Sequence, residues 1–220
     1  MLNNPSQIFP LSGDYLITEK TDGVTTTRLI RSFKPVKVYD GFNRANGALG
    51  SAETGQIWTS TWGSHAIVSN KQTATSVDYG YSYAGVNAGI NNMSIKATFT
   101  RVAATTARVG LVGRGEGVTS TNFIKFQLDG TTAKIIKRIS NVDTELASAA
   151  FAWGDGETHT LKANLKNNTF ELYVDDVLIV SVIDDNITKT LTQAGPLMFS
   201  IANESYAPTS TCDNFSVEVI

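Results

Sequence analysis

The sequence predicts an all-β protein: an antiparallel two-sheet jelly-roll sandwich carried behind a short N-terminal β-hairpin arm. Three observations lead there. Short runs alternate apolar and polar residues, as in Met93, Ile95, Ala97 and Phe99 against Ser94, Lys96, Thr98 and Thr100. A period of two gives a strand one buried face and one wet face. Turn residues punctuate the runs: Asp129-Gly130, Lys166-Asn167-Asn168 and Asp175-Asp176. Finally, 18 glycines and 5 prolines sit among abundant Thr, Ser, Asn and Val, a mixture that suits strands and tight turns. Weak helical potential is confined to Asp184–Thr192.

Taken in order, residues 1–35 form the arm. The β-prone runs around Tyr15-Leu16-Ile17 and Leu29-Ile30 flank Asp22-Gly23, a strong hairpin signal. Lys34-Pro35 marks a boundary, because proline disrupts a ladder and restricts its neighbour. Residues 36–220 then read as one domain. Val36–Phe42 opens it, and Ile57–Thr61 and His65–Ser69 follow, separated by Trp62-Gly63. Further strands are expected at 92–102, 107–112, 122–128, 133–139, 159–165, 169–174, 177–183, 196–202 and 214–220. Many short strands joined as hairpins indicate a sandwich.

Size and charge bound the function. A chain of 220 residues can bury a core without disulfides or metal. Net charge is −2, charged residues are 17%, and no basic stripe is present, so a nucleic-acid partner is not expected. No apolar run approaches the ~20 residues of a membrane span, and the N-terminus does not read as a signal peptide. The single cysteine, Cys212, reads as a buried thiol at a strand start.

Four stretches resemble the concanavalin A-like lectin/glucanase superfamily, especially its laminin-G-like branch. Asp40-Gly-Phe-Asn-Arg-Ala-Asn-Gly-Ala-Leu-Gly, running on to Thr54-Gly-Gln-Ile-Trp58, is similar to the opening of such domains. Gly154-Asp-Gly-Glu-Thr-His-Thr-Leu-Lys-Ala and Phe170-Glu-Leu-Tyr-Val-Asp-Asp-Val-Leu-Ile resemble the strand before the late hairpin and that hairpin itself. Cys212-Asp-Asn-Phe-Ser-Val resembles the closing strand. The resemblance implies a jelly roll with ligands on a concave face or loop rim. It does not fix a function, because the fold hosts lectins, hydrolases and structural modules. The arm and the Asp-Gly-Phe-Asn-Arg-Ala-Asn-Gly opening also resemble pieces of bacteriophage tail, fibre and decoration proteins. That second resemblance implies a virion protein that is made in the host cytoplasm, forms a homo-oligomer and contacts other virion proteins through the arm.

Candidate chemistry is sparse. The glucanases of this superfamily carry Glu-x-Asp-x-x-Glu on one strand, and the triplet is missing, so no enzyme is expected. Gly80-Tyr-Ser82-Tyr lacks the helix and the last glycine of a nucleophile elbow, and Ser82 reads as a turn or strand residue. His159 reads as a surface strand residue. Gly113-Arg-Gly-Glu-Gly117 reads as a wide loop between strands.

The aromatic residues Trp58, Trp62, Tyr79, Tyr81 and Tyr83 are the candidate contacts for a glycan or a partner. The three tyrosines share one face if their segment is a strand. The alternative is that the tryptophans plug the core and the tyrosines pack on a neighbouring sheet or subunit. Cell-surface glycans are one candidate ligand class beside a protein partner, and the alternatives to a virion protein are a free carbohydrate-binding lectin module and, ranked last, a divergent glycan hydrolase. For the arm, Tyr15, Leu16, Ile17, Leu29 and Ile30 are the expected docking positions. Calcium candidates, by residue type alone, are Asp184, Asp185 and Asp213; paired Asp at a turn also serves turn geometry. No other cofactor is expected.

Overall fold

The computed structural model describes residues 15–21, 24–30, 35–76, 81–101, 107–117, 121–185, 189–200 and 210–220. They contain strands and no helix. The chain divides into two compact units, Met1–Pro35 and Val36–Ile220.

In the first unit β1 (Tyr15–Thr21) and β2 (Val24–Ile30) pair antiparallel as a two-stranded sheet. The register sets Tyr15 opposite Ile30, Leu16 opposite Leu29 and Ile17 opposite Arg28. Asp22-Gly23 and the side chains of both strands lie outside the described residues.

The second unit is a sandwich of two antiparallel sheets. One contains β3 (Val36–Asp40), β4 (Gly47–Ala48), β6 (Ser64–Val68), β7 (Lys71–Ser76), β9 (Met93–Thr100), β14 (Thr158–Lys166), β15 (Thr169–Val174), β16 (Val177–Ile183) and β18 (Thr211–Val219). Its order is β16-β15-β14-β9-β18-β7-β6-β4, with β3 also beside β18. The other contains β5 (Thr59–Trp62), β8 (Tyr81–Asn87), β10 (Ala107–Gly115), β11 (Phe123–Leu128), β12 (Thr132–Ile139), β13 (Val142–Ala150) and β17 (Gln193–Ser200), in the order β13-β12-β11-β10-β17-β8-β5.

Between the sheets lies one apolar core. Ile95, Phe99, Leu161, Leu165, Phe170 and Leu172 meet Val109, Leu111, Ile124, Phe126, Ile135 and Met198, all sealed from solvent. Cys212 is buried there as a free thiol, and burial pushes its pKa up.

Three of the hairpins turn on two consecutive non-glycine residues with positive φ: Ser69-Asn70, Ser140-Asn141 and Asp175-Asp176. That geometry matches the strand twist, and Asn and Asp tolerate it. Ser140-Asn141 introduces β13, an edge strand that alternation alone does not reveal. The Gly113–Gly115 segment also differs from expectation. It ends β10, with a shift of register between Val112 and Gly115. The shift lets Arg114, at φ 50°, point between the sheets. There it donates to the carbonyls of Asn91 at 2.8 Å and Asn167 at 2.7 Å and lies 5.4 Å from the Phe170 ring.

Two buried polar groups tie the sandwich. Asp40 has no solvent exposure. It accepts from Arg44 Nη1 at 2.7 Å and Nη2 at 3.0 Å, from Trp58 Nε1 at 2.6 Å and from the Phe42 amide at 2.9 Å. This explains the Asp40…Arg44…Trp58 spacing: one carboxylate anchors the whole opening loop. Trp58 packs on Phe42 and Phe215 with ring centroids 5.7 and 5.2 Å apart.

The second tie crosses the sheets. His65 Nε2 lies 2.7 Å from Ser82 Oγ, and Gln72 Nε2 lies 3.0 Å from His65 Nδ1. The imidazole thus bridges Gln72 and the Ser82 hydroxyl, which is sealed from solvent.

Burial lowers the His65 pKa from 6.5 to about 4, and a hydrogen bond to the Trp62 backbone partly opposes this. Between those values the unfolded chain binds a proton that the folded chain refuses. The contribution is therefore complete above about pH 6.5 and is lost as pH falls toward 4, by up to about 3 kcal/mol. Urea midpoints measured across this window should fall for the wild type more steeply than for His65→Gln. Parallel slopes would show that His65 is not the titrating tie.

Candidate functional site

The central strands of the seven-stranded sheet are buried on both faces. Every residue of β11 is buried, as are Ser82 through Val86 of β8. Register identifies the outer face. Trp62 lies opposite Tyr83, Tyr83 opposite Leu197, Leu197 opposite Gly110, and Gly110 opposite Gln127. One row over, Val112 lies opposite Lys125. On this face Tyr83, Val112, Phe123 and Leu197 form a second apolar cluster, with Trp62 and Tyr81 packed against it half-buried.

The cluster shows that the face is concave. Trp62 on β5 and Phe123 on β11 are separated by three intervening strands, about 19 Å in a flat sheet at ~4.8 Å per strand. Their ring centroids are 5.6 Å apart. The sheet must curl and the side chains lean inward to close that distance. Glycine makes room beneath Tyr83: a Cβ at Gly85 would lie 2.5 Å from its hydroxyl.

Charged groups sit over the aromatic floor. The Arg138 guanidinium carbon lies 5.1 Å from the Trp62 ring, 5.7 Å from Phe123 and 5.8 Å from Tyr81. Lys125 Nζ lies 5.1 Å from the Tyr81 ring and 3.0 Å from Asp143 Oδ2. Arg138 Nη1 is 3.3 Å from Asp143 Oδ1, and the Tyr81 hydroxyl is 3.5 Å from Oδ2. Ring quadrupoles attract cations, by about 0.5–2 kcal/mol per pair.

Burial lowers the Lys125 pKa; Asp143 opposes that, while Arg138 and Arg108 reinforce it. Burial, with the nearby Asp143 charge, raises the Tyr81 phenol. Burial alone pushes Tyr83 far above its ordinary value. Tyr83 Oη, Gln127 Oε1 and Arg138 Nε are buried on this face without a hydrogen-bond partner. Buried polar atoms usually have one.

The structure thus brings Trp62, Tyr81 and Tyr83 together. Tyr79 lies outside the described residues. Trp58 requires a correction: at 6% exposure, bonded to Asp40, it is a core residue closed to a ligand. Phe123, Lys125, Arg138 and Asp143 are site residues that the sequence did not single out. The one local signal was β11 itself, where Lys125 and Gln127 alternate with aliphatic and aromatic residues.

The calcium candidates are not gathered. Asp184 pairs with Lys137 at 2.7 Å, Asp185 accepts from Asn168, and Asp213 sits on β18 opposite Thr98. Among the described residues no three His, Cys, Asp or Glu side chains converge to hold an ion. His159, read as a surface residue, packs edge-on to Phe151 and Trp153 and bonds Asp175 through Nδ1 at 2.6 Å.

Carboxylates on the concave strands are few. Among the described residues they are Asp143 and Glu145, side by side on edge strand β13, and each is ion-paired, Glu145 with Lys134 at 2.9 Å.

No family model matches this chain, and no curated protein matches it either. Solved structures do. A carbohydrate-binding module, CBM66 from Bacillus subtilis, superimposes with a TM-score of 0.61 at 17% identity, over 73% of this chain and 94% of that one. A Bacillus licheniformis β-glucanase gives 0.57 at 12% identity, over 83% and 97%. SCLam, a non-specific endo-β-1,3(4)-glucanase of family GH16, gives 0.58 at 9% identity, over 94% and 95%. The fold is a concanavalin A-like jelly roll. At these identities the likeness concerns the fold, which binding modules and enzymes share.

Burial separates the two tyrosines energetically. Tyr83→Ala should destabilise the protein by about 3–5 kcal/mol, as for a core aromatic, and Tyr81→Ala by roughly half that or less. Chemical denaturation of both variants checks the ranking. Equal, small losses would mean that the concave face is not a packed cluster.

Proposed function

We propose that this chain is a non-catalytic carbohydrate-binding protein whose ligand lies on the concave face of the seven-stranded sheet. The observation that carries this reading is the joining, on one face, of half-buried Trp62 and Tyr81 with Arg138 and Asp143. A sugar ring offers a C–H face to an aromatic side chain and hydroxyls to charged donors and acceptors. Bidentate donors such as Arg fix orientation. The jelly-roll likeness to a carbohydrate-binding module supports the same reading. The ion pairing of Asp143 and Glu145 with lysines favours binding over hydrolysis.

A second reading concerns context. β1 and β2 form a sheet of only two strands, an arrangement marginal in water by itself. A hairpin of that kind gains stability by adding to a partner's sheet edge. We infer that the arm attaches the sandwich to a larger homo-oligomeric assembly, with a bacteriophage virion as the assembly that fits the sequence resemblance.

Two experiments test these readings. Affinity electrophoresis through gels containing soluble polysaccharides should retard the protein in at least one of them. Trp62→Ala should abolish the retardation, and no reducing sugar should be released; release lost on Asp143→Asn would make it an enzyme. A truncation starting at Val36 should stay folded by circular dichroism while losing self-association in sedimentation. A full-length protein that sediments as a monomer would remove the assembly reading.

A further inference from the structure

We propose that the concave face is selective for acidic glycans, and that Arg138 receives the carboxylate or sulfate of the bound sugar. This rests on the carbohydrate-binding reading and names its ligand class.

Asp143 sits at the centre of the charged cluster. This carboxylate serves two cations, Lys125 at 3.0 Å and Arg138 at 3.3 Å. Lys125 takes the closer contact. Its side chain is only 2% exposed, so it cannot turn to solvent for compensation. Arg138 is left with the longer contact, and its Nε has no hydrogen-bond partner. Its side chain is 15% exposed and that of Asp143 is 31% exposed, so this pair forms the reachable part of the cluster. Arg108 stands on a neighbouring strand of the same sheet, and its charge also bears on Lys125.

Geometry matches a charged sugar. The guanidinium carbon lies 5.1–5.8 Å from the centroids of Trp62, Tyr81 and Phe123, which crowd it and limit how its fork of donors can turn. A planar fork suits a carboxylate or sulfate in a bidentate contact, and such contacts strengthen where water is scarce. The half-buried parts of Trp62 and Tyr81 lie next to it, within the width of one sugar ring. A ring resting there presents its anionic substituent to Arg138. A neutral sugar gains the stacking alone and makes no ionic contact with Arg138.

The test uses the full chain and matched polymers immobilised for binding: polygalacturonate against its methyl ester, and carrageenan against agarose. In at least one pair the charged member should bind about tenfold more tightly or better. That preference should shrink in about 0.5 M NaCl, where charge interactions are screened. Arg138→Gln should erase the preference and leave any binding of the neutral member. Asp143→Asn, which removes the competing carboxylate, should strengthen binding of the charged member. Equal affinity within both pairs, or a preference that survives Arg138→Gln, overturns the proposal. Binding confined to neutral polymers also ends it but leaves the carbohydrate-binding reading standing. No binding to any of the four ends both.

Discussion

The constraint on which this structure depends is the burial of the central strands of the seven-stranded sheet on both faces. Its inner face packs on the other sheet, as in any sandwich. Its outer face curls until Trp62 meets Phe123. Residues pointing outward must then be aromatic or aliphatic, like Tyr83 and Leu197, or glycine, like Gly85 and Gly110. The charges on that face must be stacked on rings or paired. Lys125 is both, through Tyr81 and Asp143. A buried charge without such partners costs several kcal/mol. The features that make the face stable are therefore the ones that make it a recognition surface: rigid rings, an oriented guanidinium and polar atoms still lacking partners.

Much of the fold was legible in the sequence because its signals are local. The alternation of Met93–Thr100 gave β9, and Asp175-Asp176 gave the hairpin joining β15 and β16. β13 was invisible. It is a largely exposed edge strand, so its residues carry no apolar period. Alternation also misjudged β11. Phe123-Ile-Lys-Phe-Gln-Leu reads as one dry and one wet face, but Lys125 and Gln127 are buried. Lys125 is covered by Tyr81 of β8 and Asp143 of β13, strands that are not its neighbours in the sheet.

The site was legible to the extent that it is local. Trp62, Tyr81 and Tyr83 lie within one short segment and surfaced together. Arg138 and Asp143 did not, because a charged residue near a turn carries no sign of the ring that will sit under it. Trp58 looked equivalent to Trp62 in sequence. Asp40 separates them: its carboxylate draws the Trp58 indole into the core. His65 and Ser82 show the converse. No motif links them in sequence, yet they fold into a buried hydrogen bond that ties the sheets.

The account's central claim is that ligand meets Trp62 on the concave face, and the three tryptophans provide an internal control. Trp58 Nε1 is held by Asp40 and Trp153 Nε1 by the Glu157 carbonyl at 3.1 Å, both rings being buried. The most direct measurement follows the three indole N–H resonances during titration with an acidic oligosaccharide, such as oligogalacturonate. The account predicts that the Trp62 signal shifts in a saturable way while those of Trp58 and Trp153 stay in place. Saturable binding with the Trp62 signal unmoved would contradict it.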